Sequence, residues 1–280
     1  MTQADYVRIG NEHFKEVILP QIKTLSSQVA DNLLVFIEGS VAYGYCDQKS
    51  DIDIDFFIDM DISHELKNEI TNIFFGETYW KESVRVSYNF GGDYWKIKLL
   101  LNDDMDRFWK EFNPYAVNNL SQAIPVWDPK NLLPKIQTKV HSFPEDIKKS
   151  VIRGLWITIN DSGEYNFKEA LSRNKQSEAK IYLYRAVEAM LRLTYILNGL
   201  YYPPTKWLSE GLPHLINDFG VKHMLSAIED IADDIDVYHL FMDVYRNMQE
   251  FMNHNNSIEI ESIYNYSCIF SKSFFIFNTF

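Results

Sequence analysis

The stretch from Phe36 to Ile58 restricts the fold more than any other part of the chain. It starts in an apolar run, Leu33-Leu34-Val35-Phe36-Ile37, that has the length and composition of a buried strand. It then turns at Gly39-Ser40, and further on it places Asp51, Asp53 and Asp55 at alternate positions with Ile52, Ile54 and Phe56 between them. Successive side chains of a strand point to opposite faces, so the three carboxylates share one face and the apolar residues take the other. The segment therefore predicts a buried strand, a tight turn and a second strand that is half acidic.

That pattern suits a phosphate and metal site. Same-face neighbours on a strand lie roughly 6.5 Å apart at Cα, which lets the oxygens of Asp51 and Asp53 converge on a hard cation. Magnesium takes one or two carboxylates and leaves its remaining positions to water and substrate phosphate. A pair of such ions, about 3.5–4 Å apart, activates a hydroxyl and neutralises a leaving pyrophosphate. Small residues at Gly39 and Ser40 leave the backbone open to an oxyanion, and a helix starting there would turn its free amides and positive dipole end toward a triphosphate. Solvated turns also carry Asp, and Gly-Ser pairs are common in loops; the combination and its order carry the reading. A haloacid-dehalogenase phosphatase also uses Asp-x-Asp, but it requires an apolar strand running into the first Asp, and here Gln48-Lys49-Ser50 precede it.

The remaining sequence predicts helices and strands in two groups. Asp5 to Ala30 has apolar residues at helical period, with a break at Pro20, and Ser63 to Phe75 reads as a helix capped by Ser63. Ser83–Phe90 and Tyr94–Leu101 read as two strands joined at Gly91-Gly92-Asp93, a hairpin. Beyond Pro125-Val-Trp-Asp-Pro129 the strand signals end. Helical patterns dominate from Pro144, and the clearest is Ser177–Asn198, with an apolar stripe from Ala179 to Leu197. The expected class is α+β: a small mixed-sheet domain over residues 1–140, then an all-α helical bundle over 141–280, with the boundary near 135–145.

Composition narrows the partners. The 39 acidic and 27 basic residues give a net charge of -12, which disfavours a nucleic-acid backbone and suits a cationic small molecule. Cys46 and Cys268 are too few and too separated for a disulfide framework or zinc site, which fits a reduced, cytoplasmic compartment. The N-terminus lacks a signal-peptide layout, and the aromatic stretch from Ile263 to Phe280 is broken by polar residues, so it reads as a packing helix and no membrane partner is expected.

The Gly-Ser and Asp-x-Asp pairing resembles the signature of the polymerase β-type nucleotidyltransferase superfamily. The order of domains resembles that of the streptomycin and spectinomycin adenylyltransferases, and Tyr201-Tyr-Pro-Pro-Thr-Lys-Trp-Leu-Ser-Glu-Gly-Leu-Pro213 is similar to the segment after that family's long helix. The resemblance implies Mg2+ held by Asp51 and Asp53, ATP as co-substrate held at Gly39, Ser40 and Lys206, and AMP transfer to a hydroxyl of a small, cationic acceptor of the aminoglycoside type. Glu164, Glu169, Glu178 and Glu188 are acidic candidates for that acceptor. The superfamily adds a third carboxylate from a later strand, as ligand or base. The expected strands contain none, which leaves Asp93 in the intervening turn, Glu82 just before, or Asp55. Arg246 and His254 resemble the Arg-x-His motif of HEPN ribonucleases with seven residues between, one more than that motif allows, and point to an alternative: a regulatory or antitoxin-type transferase that modifies a protein. A third reading is a nucleotide-binding module without catalysis.

Overall fold

A computed structural model describes residues 1–75, 79–90, 94–110, 113–141, 143–230 and 234–255. The chain separates into two compact units, Met1–Ser142 and Phe143–Phe280. Asp93 and the stretch from Ile263 to Phe280, Cys268 included, lie outside the described residues.

The first unit is built on a five-stranded mixed sheet. Helix α1 (Gln3–His13) starts in a capping box made by Thr2 and Asp5, passes through a π-helical turn at Phe14–Ile18, and resumes as α2 (Leu19–Leu25), with Pro20 in the first turn of α2 where its missing amide costs nothing. The short α3 (Ser27–Asp31) leads into β1 (Leu33–Glu38), then α4 (Gly39–Tyr43), β2 (Ile52–Ile58) and α5 (His64–Phe75). Strands β3 (Tyr79–Lys81) and β4 (Val84–Phe90) follow, then α6 (Tyr94–Leu101), α7 (Met105–Lys110), α8 (Pro114–Gln122), β5 (Ile124–Trp127) and α9 (Leu132–His141).

The strand order is β3-β4-β2-β1-β5. The β1–β2 pair is antiparallel with Glu38 opposite Asp53, while β2–β4 is parallel with Asp53 beside Ser87 and Asp55 beside Asn89. One sheet face carries Leu33, Val35, Ile37, Ile52, Ile54, Phe56, Val84, Val86 and Tyr88, and joins α1, α2 and α5 in a single buried cluster. Phe56 and Phe74 stack there with ring centroids 3.8 Å apart. The opposite face carries Glu38, Asp53, Asp55 and Ser87, so the alternation expected along Asp51–Phe56 is present, with Ile52, Ile54 and Phe56 fully buried and Asp53 and Asp55 half-buried.

Two elements depart from the sequence reading. Tyr94–Leu101 is a helix, so the hairpin expected around Gly91-Gly92-Asp93 is replaced by β4 leading to α6. Its Lys-Ile-Lys-Leu alternation mimics a strand, but Ile97 and Leu100 are buried three residues apart, which is the spacing by which a helix packs; α6 uses it against α9. The hairpin that does form is β3–β4, and its two-residue turn places both Glu82 and Ser83 at positive φ, 52° and 69°. A two-residue loop with two positive φ values matches the twist of a hairpin, and Glu-Ser lacks the usual Asn-Gly signal. Arg8 anchors the turn by bonding Glu82 at 2.9 Å. Strand β5 was not expected either; Pro125 sits on an edge strand, where a missing donor is tolerated.

The second unit is helical among the described residues. It contains α10 (Glu145–Ile159), a π-helical stretch at Asn160–Phe167, α11 (Lys168–Ser172), α12 (Gln176–Leu197), α13 (Val221–Asp230) and α14 (Asp234–His254). The central α12 packs on α10 and on the π stretch through the stripe read from the sequence. A Cβ added at Gly163 would fall 2.0 Å from Cζ of Phe241, so α14 packs directly against bare backbone there. Trp156 stacks on Tyr245 at 4.6 Å, and the Tyr245 hydroxyl donates to Asn160 at 2.7 Å.

Candidate functional site

Strand β1 ends at Glu38 and the chain turns at once into α4, so Gly39 sits where two secondary elements meet. Its φ of 67° lies in the left-handed region that glycine adopts without a Cβ clash. The space beside it is taken as well: a Cβ on Gly39 would lie 3.0 Å from Oδ2 of Asp53. Both halves of the sequence signature thus meet at adjacent ends of β1 and β2. Ser40 is buried in the first turn of α4, where backbone amides have no intrahelical partner.

The loop between α4 and β2 is held by its own side chains. Gly44 ends α4 in the left-handed conformation, φ 77°. Asp47 then accepts from the Lys49 amide at 2.8 Å and from the Ser50 hydroxyl at 3.2 Å, and Tyr6 donates to the Asp47 carbonyl at 2.6 Å. The Lys49 amide, with Ser50 and Lys49 adding to it, holds the Asp47 carboxyl below its ordinary range. This turn delivers Asp51 to the start of β2, two residues before Asp53 and on the same face of the strand. Cys46 packs against the sheet's apolar cluster, and burial raises its thiol pKa, consistent with a packing role.

The expected third carboxylate is not supplied by β4, whose residues in register with Asp53 and Asp55 are Ser87 and Asn89. The Ser87 hydroxyl is buried with no hydrogen-bond partner. Asp55 lies deeper in the sheet, paired across to Phe36, and Glu82 is drawn off to Arg8. Among the described residues no three His, Cys, Asp or Glu side chains are grouped to hold a metal ion by themselves. Asp51 and Asp53 remain as a two-carboxylate donor set, oxygen-only and hard, which is the chemistry magnesium takes when phosphate and water complete its shell.

Two residues of this face were missed by sequence reasoning. Glu38 is the charged end of an otherwise apolar strand and faces Asp53 across the ladder; that abrupt change from Ile37 to Glu38 was the available signal. Asn119, from α8, donates Nδ2 to Glu38 Oε2 at 3.0 Å and is 3% exposed. Its place is set by a tertiary contact 81 residues along the chain, for which the sequence holds no local signal.

The other candidates belong to the second unit. Lys206 is exposed, with Nζ 5.5 Å from the Trp207 ring centroid. Its segment is fastened to α12 by a small network in which Thr205 donates to Glu188 at 2.7 Å and Arg192 donates to the same carboxylate at 2.6 Å. The Arg192 guanidinium also lies 5.3 Å from the Tyr202 ring centroid, and burial is the main cause that raises the Tyr202 pKa to about 12. Of the acidic acceptor candidates, Glu164 pairs with Lys168, Glu169 with Arg173 and Glu188 with Arg192, each one turn along its own helix. Arg246 pairs with Asp243 and the His254 ring bonds the Glu250 carbonyl. Eight residues of helix separate Arg246 from His254, roughly 12 Å along the axis.

A family described as a domain of unknown function, DUF4037, matches residues 109–208. Among solved structures, the chain is similar to a nucleotidyltransferase-like protein from Exiguobacterium sibiricum 255-15, known from a crystal structure at 1.90 Å, with 12% identity over 89% of this chain and 80% of that one and a TM-score of 0.47. A search of curated proteins finds no match. No described helix is long and apolar enough to cross a membrane.

Proposed function

We propose that this chain is a magnesium-dependent nucleotidyltransferase that moves a nucleoside monophosphate, in the simplest case AMP from ATP, onto a hydroxyl of a small cationic molecule such as an aminoglycoside. The observation that carries the reading is the meeting of Gly39 with Asp53, which puts the glycine turn against a carboxylate of a two-aspartate strand. Neither feature alone would support more than a loop and an acidic edge.

In this reading Asp51 and Asp53 would hold the cation, and magnesium there would supply charge neutralisation for the triphosphate and the leaving pyrophosphate. Gly39 and Ser40 give the phosphates a close approach to backbone amides. Lys206, the lysine that the adenylyltransferase resemblance assigns to the phosphates, is exposed on the helical unit. The net charge of -12 favours a cationic acceptor by long-range attraction.

Calorimetry with magnesium and ATP tests the binding half, and pyrophosphate release over a panel of aminoglycosides, lincosamides and candidate proteins tests the transfer and its acceptor. Asp53→Asn should weaken magnesium-ATP binding by tenfold or more, about 1.4 kcal/mol. If the variant binds and releases as the parent does, the transferase reading fails.

A further inference from the structure

The nucleotidyl-transfer reading, on which the following rests, needs a group that takes the proton of the attacking hydroxyl, and β4 presents Ser87 and Asn89 in register with Asp53 and Asp55. We propose that Glu38 is that proton acceptor and that Asn119 is the residue that positions it.

Glu38 stands directly across the antiparallel ladder from Asp53. Such cross-strand partners share a face, with Cβ atoms about 4.5–5.5 Å apart. A carboxylate there is beside the metal-binding strand yet on a different strand from Asp51 and Asp53. In the transfer reading the two aspartates hold the ion and Glu38 takes the proton; among the described residues no three His, Cys, Asp or Glu side chains are grouped to hold a metal ion.

The local hydrogen bonding favours this division. Glu38 occupies the N-cap position of α4, where a side chain ordinarily turns back onto the helix amides, but it makes no such cap. Its Oε2 is instead held by Asn119 Nδ2. That bond fixes the amide orientation and leaves Asn119 Oδ1 buried with no hydrogen-bond partner. A buried unsatisfied acceptor is unfavourable, so the asparagine is a poor choice for packing alone, and its amide bonds Glu38.

The step balances without a further reactant. The acceptor O–H bond breaks and its proton passes to the Glu38 carboxylate, while the freed oxygen electron pair forms the bond to the α-phosphorus. The bond from that phosphorus to the bridging oxygen breaks, and pyrophosphate departs with the electron pair. Solvent then takes the proton from Glu38.

The test compares the full chain with Glu38→Gln, Asn119→Ala, Asp53→Asn and Asp93→Asn. Two readouts are used: Mn2+ affinity in the presence of ATP, and pyrophosphate release over the acceptor panel as a function of pH. Glu38→Gln should keep Mn2+-ATP binding within about threefold, lose about 10²–10⁴-fold in release, and lose the acid limb of the pH profile. Asn119→Ala should lower kcat and displace that limb while leaving KM for ATP unchanged, a pattern a purely structural loss would not give. Glu38 is excluded as the base if Glu38→Gln releases pyrophosphate at the parent rate with the acid limb intact, if it loses Mn2+-ATP as a ligand would, or if Asp93→Asn removes the limb instead. A parent chain that binds nucleotide and releases none over the whole panel also overturns the base assignment. Unchanged Mn2+-ATP binding by Asp53→Asn overturns the metal-site reading itself.

Discussion

Gly39→Ala probes both the backbone and the carboxylate of the site. A side chain at φ 67° clashes with the adjacent carbonyl and costs roughly 1–2 kcal/mol. For a compact unit the size of Met1–Ser142, that corresponds to a fall of about 3–8 °C in Tm. The new Cβ would also stand 3.0 Å from Asp53 Oδ2, so the carboxylate has to give way by a few tenths of an ångström. If Asp53 holds magnesium as proposed, disturbing its orientation costs about 10–100-fold in metal affinity. Gly44→Ala supplies the control: φ is 77°, but its Cβ would meet nothing closer than Gln3 Nε2 at 3.7 Å. Both variants should lose similar stability by differential scanning calorimetry, and Gly39→Ala alone should lose magnesium-ATP affinity by titration calorimetry. Equal nucleotide affinity in the two variants would refute the link between the glycine turn and Asp53.

Three further outcomes follow from the packing and the loop. Phe56→Ala, which removes a fully buried ring stacked on Phe74, should cost about 3–5 kcal/mol in urea unfolding. Gly163→Ala should destabilise the helical unit by at least about 1–3 kcal/mol because the methyl overlaps Phe241, and Phe241→Ala in the same chain should recover part of that loss in a double-mutant cycle. The folded pKa of Asp47 is depressed, so its contribution is present above the unfolded carboxylate range and is lost as pH falls through the folded value, below 3.8. Titrating by NMR, the Lys49 and Ser50 amides should shift together below that pH in the parent chain and show no such step in Asp47→Asn.

Much of the scaffold is legible locally. Leu33–Ile37 is an unbroken apolar run and becomes the central β1; Ile52–Ile58 alternates and becomes a strand with one face in the core; Ala179–Leu197 carries a helical stripe and becomes α12. In each, the period of apolar residues agrees with the burial that tertiary packing provides. Tyr94–Leu101 shows where this fails, since Lys-Ile-Lys-Leu fits either period over a short span and burial of Ile97 with Leu100 selects the helix. The Glu82-Ser83 turn was hidden because its positive φ values are held by β3–β4 pairing and Arg8, without a glycine to announce them.

By itself, the sequence determined the two-part organisation of strands followed by helices and the acidic face of β2, because side-chain period and residue chemistry are local properties. It also singled out Gly39, Ser40, Asp51 and Asp53 as candidates. Only the tertiary structure decided what stands beside them: antiparallel pairing put Glu38 across from Asp53, parallel pairing put Ser87 beside Asp53, and α8 brought Asn119 to Glu38. Strand register and helix docking are set by the whole core at once, so the neighbours of a residue on a sheet face cannot be read from its own strand.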